Sequence, residues 1–164
     1  MTKFLLDVEV LLICGGMSWN GGPIPFITSN KCYILDKYSS RLFATMVEKR
    51  SFAASLITNE NILWVTGGFD YFPLSSTEYI LKNGESVKGP ELPHGLASHT
   101  VIGLNSTFSM VIGGVIESDA IDLTYYYDHY NQVWSNGPRL NVARAIHGTG
   151  IVTDLVTRER LVIV

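Results

Sequence analysis

Short hydrophobic runs that end in two glycines recur along the chain. The clearest copy is 63–68, Leu-Trp-Val-Thr-Gly-Gly, and 11–16 and 109–114 have the same pattern. Each run is mostly apolar without strict alternation, which is typical of a strand that is buried on both faces. Glycine readily adopts backbone dihedrals that other residues avoid, so each Gly–Gly pair is predicted to end its strand. The last run, 161–164, has the same pattern and stops just before such a pair, which predicts that the sequence ends inside a repeat.

The glycine pairs are spaced like the units of a repeat protein. They begin at residues 15, 67 and 113, so 52 and then 46 residues separate them, and intervals of this size indicate a propeller or a solenoid. Tyr33, Tyr79 and Tyr125 follow the three pairs and lie 46 residues apart. Because the glycine pairs and the tyrosines recur at similar intervals, we interpret the whole chain as a series of repeats. The predicted units are 1–48, 49–94, 95–143 and a truncated 144–164.

Each complete unit is predicted to be a four-stranded antiparallel sheet. Its elements are a short strand, a tight turn, the buried strand that ends in Gly–Gly, a variable loop, a strand that carries the tyrosine, and an outer strand. In the second unit Asn83–Gly84 is the strongest hairpin signal, because both central residues of a type I′ turn need positive φ. No helix is indicated, so the fold class is predicted to be all-β. The loops after the glycine pairs are predicted to be 17–30, 69–76 and 115–120, at the same end as the connections between units.

This order of features resembles the kelch repeat, in which a hydrophobic run is followed by Gly–Gly, then by a tyrosine and then by a tryptophan. The third unit matches best, whereas Phe43 replaces the tryptophan in the first unit and Val87 lies near that place in the second. The resemblance implies an incomplete kelch-type β-propeller of about three and a half four-stranded antiparallel blades, which the remaining blades of a longer parent chain would close. It implies a structural role for Gly15, Gly16, Tyr33, Phe43, Gly67, Gly68, Tyr79, Gly113, Gly114, Tyr125 and Trp134.

The same resemblance implies a protein-interaction module. The chain is similar to the substrate-recognition domains of cullin-type ubiquitin ligase adaptors and to actin-associated scaffolds. Some kelch-like propellers are enzymes that act on sugars or alcohols, which is the alternative. None of their catalytic motifs can be placed on residues of this chain, so we expect a protein partner, no enzymatic activity and no cofactor.

Large apolar side chains on the predicted loops are the candidates for partner contact. Such groups have no core of their own and are typical of interface anchors. The alternative is that they fold back to cover the edges of the blades. Arg50 and Arg144 precede equivalent strands and are also candidates, although a solvated or structurally paired arginine is favoured there. The aromatic candidates are Trp19, Phe26, Phe69, Tyr71 and Phe72.

Composition narrows the choice of partner and location. The 164 residues carry a formal net charge of −3 and contain no basic run, so nothing would neutralise the backbone of a nucleic acid. The apolar runs are of strand length and are interrupted by charge, which argues against a membrane span and a signal peptide. A cytoplasmic protein without nucleic-acid or membrane partners is therefore expected.

Cysteines and histidines offer no recognisable metal site. Two cysteines are too few for a zinc site, and free buried thiols at Cys14 and Cys32 are favoured over a conceivable bridge because nothing suggests secretion. His99 and His147 occupy equivalent positions in their units. The equivalent residue of the second unit is Ala53, so the histidines do not form a complete ring of ligands. Core histidines are therefore favoured over metal ligands, and we expect no bound metal.

Overall fold

The computed structural model describes residues 11–19, 21–22, 26–154, 157 and 159–164, and the predicted start of the first unit, 1–10, lies outside them. Within these ranges the backbone forms strands and turns but no helix, which confirms the all-β class. In chain order the strands are β1 (Leu11–Cys14), β2 (Met17–Trp19), β3 (Phe26–Thr28), β4 (Lys31–Leu35), β5 (Ser40–Thr45), β6 (Ala54–Ile57), β7 (Leu63–Thr66), β8 (Phe69–Asp70), β9 (Phe72–Pro73), β10 (Thr77–Ile80), β11 (Ser86–Lys88), β12 (Thr100–Gly103), β13 (Phe108–Ile112), β14 (Val115–Ile116), β15 (Asp119–Ala120), β16 (Thr124–Asp128), β17 (Val133–Asn136), β18 (Gly150–Thr153) and β19 (Arg160–Ile163).

The strands pair antiparallel in four sheets that follow one another along the chain. The first sheet has the order β1-β4-β5, the second β6-β7-β10-β11, the third β12-β13-β16-β17, and the fourth pairs β18 with β19. The second and third sheets are therefore four-stranded, as the repeat predicts. The tyrosine-bearing strand of the third unit is β16, which contains Tyr125. Each sheet lies in one predicted unit.

A two-stranded ribbon follows each glycine pair where the sequence predicts an irregular loop. β2 pairs with β3, β8 with β9, and β14 with β15. Each of these strands has only two or three residues, so none is long enough to show an alternating pattern. The variable loops are therefore hairpins that stand on the ends of the sheets.

The turn at Asn83–Gly84 is present, but its predicted type is wrong. Only Gly84 has a positive φ, 84°, whereas type I′ would require it at Asn83 as well. The amide of Gly84 donates to the carbonyl of Leu81 at 2.9 Å, and the amide of Leu81 donates to the carbonyl of Glu85 at 2.8 Å. This is a three-residue loop, in which a turn is followed by one glycine in the left-handed region.

The expectation of free thiols is also wrong. Cys14 on β1 lies directly opposite Cys32 on β4, with their Cα atoms 4.0 Å apart, and the two form a disulfide. The register between the two strands, which composition cannot give, places the thiols together. A bond that closes a loop of this size contributes about 3 kcal/mol through the entropy of the unfolded chain.

Each glycine pair touches the backbone of the next unit. The amide of Gly68 donates to the carbonyl of Leu96 at 2.7 Å, and an added Cβ on Gly67 would overlap that same oxygen. The other two pairs repeat both contacts, with Arg50 for the first pair and Arg144 for the third. The glycines therefore allow one sheet to approach the next more closely than any side chain would permit.

Apolar side chains fill the layers between successive sheets. Cys32, Ala44 and Met46 of the first unit pack with Val65 and Ile80 of the second sheet. A second cluster joins Leu92 and Leu96 to Val111 and Tyr125 of the third sheet. Burial of a side chain of this kind contributes roughly 1.5 to 3 kcal/mol relative to exposure.

Trp64 is the centre of an aromatic cluster between the second and third sheets. It is completely buried, and its ring centroid lies 5.2 Å from that of Tyr127 and 6.0 Å from those of Tyr79 and Trp134. Two of these residues, Tyr79 and Trp134, were identified from the repeat. Trp64 was not, because neither of the other two units has an aromatic residue at its position.

Replacing Gly67 by alanine tests the contact between units. We expect Gly67→Ala to lower the free energy of unfolding by about 2–4 kcal/mol, because the new Cβ meets the Leu96 oxygen and because a side chain is strained at a φ of 54°. Gly103→Ala is the matched control, since a Cβ there meets no atom within 4 Å, and it should change stability by less than about 1 kcal/mol. Chemical denaturation measures both values, and equal effects would contradict the contact.

Candidate interaction surface

The hairpin after the first glycine pair carries two exposed aromatic residues. β2 and β3 pair with Trp19 opposite Phe26. Their rings meet edge to face with centroids 5.1 Å apart. Trp19 nevertheless remains 67% exposed and Phe26 53% exposed. The pair is ordered by its own contact but leaves most of its apolar surface in contact with water.

The hairpin after the second glycine pair has the same character. Phe69 is half-buried, and its amide and carbonyl both bond to the backbone of Ser51 on the preceding connection, at 2.7 and 3.0 Å. Tyr71 forms the tip with a positive φ of 66°. Tyr71 is 73% exposed and Phe72 76% exposed. Phe69 therefore fixes the hairpin to the preceding connection, and the next two aromatic residues, Tyr71 and Phe72, are exposed.

A hydrogen bond joins the two hairpins. The hydroxyl of Thr28, at the end of β3, donates to the carboxylate of Asp70 on β8, although 42 residues separate them in sequence. All five predicted aromatic candidates consequently belong to adjoining hairpins; four of them are exposed, and the fifth, Phe69, is half-buried. We call the exposed set Trp19, Phe26, Tyr71 and Phe72 the aromatic surface.

Arg50, a candidate for partner contact, lies in the interior instead. It is 1% exposed. Its guanidinium donates to the carbonyls of Gly67 and Ser76, at 2.6 and 3.0 Å, and pairs with the carboxylate of Glu78 at 2.6 Å. The sequence alone does not identify Glu78 as the partner of Arg50, because Glu78 lies 28 residues further along the chain, on β10. Arg50 fastens the connection between the first two sheets to the second sheet.

Glu78 is held ionised opposite Arg50. Burial alone would raise the pKa of this carboxyl. Hydrogen bonds from the Ser86 hydroxyl, from the backbone amides of Glu48 and Val47 and from Arg50 outweigh burial and keep the pKa below its usual value. The buried positive charge is therefore compensated, as a buried ion pair requires.

Three equivalent residues between the sheets have strained backbones. Phe52, Ser98 and Ile146 have positive φ values of 52°, 57° and 54°. The amide of Ser98 donates to the carbonyl of Phe52 at 2.8 Å, and the amide of Ile146 donates to that of Ser98 at 2.9 Å. Ile146 is 85% exposed, although a β-branched residue rarely adopts this conformation. Strain of this kind concentrates at functional sites, and no sequence signal identifies it at phenylalanine or isoleucine.

The hairpin after the third glycine pair is acidic rather than aromatic. Glu117 forms its tip with a φ of 54°, and Asp119 follows on β15, both exposed. Arg144 lies on the connection beyond this hairpin, is half-buried, and donates to the carbonyl of Val164 at 3.1 Å. Arg144 is therefore partly engaged within the chain, while the two carboxylates face water.

The two equivalent histidines bond to threonine hydroxyls. Nε2 of His99 lies 2.8 Å from Oγ1 of Thr66, and Nε2 of His147 lies 3.2 Å from Oγ1 of Thr100. Burial, with a smaller repulsion from His147, lowers the pKa of His99 to about 4. His99 is therefore a neutral core residue at pH 7. No cluster of three or more metal-ligating side chains occurs among the described residues.

Comparisons with protein-family models and with curated proteins found no match for this chain. No helix in the described ranges is long and apolar enough to cross a membrane.

Burial of neutral His99 predicts a loss of stability in mild acid. Between pH 6.5 and 4 the unfolded chain binds a proton at His99 that the folded chain does not, so stability decreases as the pH falls through this window. We expect the wild-type protein to lose about 2 kcal/mol from this residue between pH 7 and 5, and His99→Gln to lack that contribution. Urea denaturation at both pH values measures the difference. His94→Gln, at an exposed histidine, is the control and should behave like the wild type; the same acid sensitivity in His99→Gln would contradict the assignment.

Proposed function

We propose that this chain is a segment of a kelch-type β-propeller that binds a protein partner through its aromatic surface. Successive antiparallel sheets, joined by the same glycine contact each time, support the propeller. The regular spacing of Tyr33, Tyr79 and Tyr125 supports it as well. The proposal includes further blades in a longer parent chain, since propellers close with about four to eight of them.

The exposure of the aromatic surface is the observation that carries the interaction proposal. Soluble proteins tolerate single exposed apolar side chains, but neighbouring aromatic residues on ordered hairpins are typical of interface anchors. Phe52 and Ile146 add further exposed apolar area on the connections between sheets. The alternative of aromatic residues folding over the sheet edges would bury them, and their side chains are more than half exposed.

Charge suggests the chemistry of the partner. The third hairpin presents the carboxylates of Glu117 and Asp119, and Arg50 is not available to offset them. A partner segment with apolar side chains next to lysine or arginine would complement both features. Substrate recognition in a cullin-type ubiquitin ligase adaptor, or attachment to an actin-associated scaffold, remains the role that the kelch resemblance implies.

A cytoplasmic location is also part of the proposal. Disulfides are rare in the cytosol, where thiols are kept reduced. A Cys14–Cys32 bond that persists in the cell would therefore argue against a cytoplasmic location, and a reduced pair would agree with it. The redox state of this pair in the cell therefore reports the compartment.

Selection of binding peptides tests the interaction proposal without knowledge of the natural partner. We expect peptides selected on the wild-type protein to combine aromatic or aliphatic residues with lysine or arginine. Trp19→Ala and Tyr71→Ala should each weaken their binding about tenfold or more, as for central interface residues. Calorimetric titration measures the change, and thermal denaturation should show a loss of less than about 1 kcal/mol for these surface positions.

Tyr38→Ala and Tyr130→Ala are the matched controls. Both tyrosines are 87% exposed and lie on turns at the opposite ends of their sheets. They should leave peptide affinity unchanged. Peptides that bind equally well to Trp19→Ala, Tyr71→Ala and the controls would contradict the proposed surface.

A further inference from the structure

A cavity of about 480 Å³ lies between the second and third sheets. The turns that join β6 to β7, β12 to β13 and β16 to β17 contribute most of its lining. Connections in an antiparallel meander alternate between the two ends of a sheet, so the cavity is at the end opposite the aromatic surface. Its volume is within the range of about 300–1,000 Å³ that is usual for small-molecule sites.

The two walls of the cavity differ in chemistry. The second sheet contributes an aliphatic wall of Leu56, Ile57, Ile62, Leu81 and Val87, with Tyr79 beside it, and its β6–β7 turn adds the polar residues Thr58, Asn59 and Glu60. The described residues of the third-sheet wall include no apolar side chain; they are Gly103, Asn105, Ser106, Ser109, His129 and Gln132. A ligand with one carbon-rich face and several hydroxyl groups would match both walls.

Several polar groups of the cavity are available to a ligand. No hydrogen bond within the described part of the chain engages the side chains of Asn59, Glu60 or Gln132. At the inner end Oγ of Ser109 lies 2.7 Å from Nε2 of His129. Burial lowers the pKa of His129, against the opposing charges of Asp128 and Glu60, so its ring is neutral near pH 7. Because Nε2 is engaged by Ser109, Nδ1 is the ring nitrogen left to a ligand, as a donor or as an acceptor.

The charge of the lining excludes anions. Among the described residues of the lining, Glu60 is the only acidic one, and none is a lysine or arginine. Lys82 belongs to a shallower adjoining hollow. A phosphate or carboxylate group would find no cation among these lining residues and would be repelled by Glu60. The guanidinium of Arg160 lies outside this lining and donates to the carbonyl of Leu104.

We propose that this cavity binds a small neutral polyhydroxyl molecule, such as a monosaccharide. Amide, hydroxyl and imidazole groups on the third-sheet wall, together with Glu60, would bond to its hydroxyl groups. The aliphatic wall would cover its carbon face. This site is separate from the aromatic surface, so ligand binding in the cavity does not depend on partner binding at that surface.

Imidazole signals in NMR spectra provide the test, because the chain has only four histidines and one of them lines the cavity. The probes are glucose, galactose, mannose, N-acetylglucosamine and glycerol, with choline and glucose 6-phosphate as the cationic and anionic comparisons. We expect at least one neutral probe to shift the His129 signal saturably, while His94, His99 and His147 stay unchanged. Choline and glucose 6-phosphate should produce no such shift at the same concentrations.

Variants of rim residues separate specific binding from a solvent effect. Asn59→Ala and Gln132→Ala should each weaken the neutral probe about three- to tenfold, as expected for the loss of one hydrogen bond. Asn141→Ala is the matched control, since this exposed asparagine lies outside the cavity. A His129 signal that responds to none of the neutral probes, or only to choline or glucose 6-phosphate, would overturn the proposal, as would equal affinities in all three variants.

Discussion

The close contact between each glycine pair and the backbone of the following unit is the constraint on which the rest of the structure depends. In every pair the first glycine leaves no room for a Cβ beside a carbonyl oxygen of the next unit, and the second glycine donates its amide to that oxygen. One carbonyl therefore sets both the distance and the hydrogen bonding between successive sheets. Because this arrangement recurs three times, the stacking of the sheets is determined by backbone geometry, and side chains then fill the space that remains.

Several features lie between the sheets and require that spacing. Arg50 can reach Glu78 only if the connection that carries it lies against the second sheet, and the ion pair in turn engages the carbonyl of Gly67. Trp64 packs on Tyr127 and Trp134 across the next layer. At one end of the sheets the spacing brings the aromatic hairpins together, and at the other end it leaves a cavity. The same contact thus produces a packed interior and two chemically different surfaces.

Much of the fold could be predicted from the sequence, because the repeated signals are local. Mostly apolar runs end in the glycine pairs at Gly67 and Gly113, as is typical of buried strands. The strand around Tyr125 is apolar and aromatic in the same way. The remaining features depend on long-range register. The sequence could not reveal that Cys14 faces Cys32 or that Arg50 meets Glu78, since strand pairing decides both. For the same reason the sequence does not show that the segments carrying the five aromatic candidates are hairpins, or that Thr28 and Asp70 join them.

Amide hydrogen exchange is the most direct test of the contact between units. The amides of Gly16, Gly68 and Gly114 each donate to a carbonyl of the next unit, at 2.9, 2.7 and 2.9 Å. We therefore expect them to exchange as slowly as amides within the central strands. Gly148 is the reference, because its amide makes no hydrogen bond within the described ranges and should exchange rapidly. Exchange of all three pair amides at the rate of Gly148 would contradict the account.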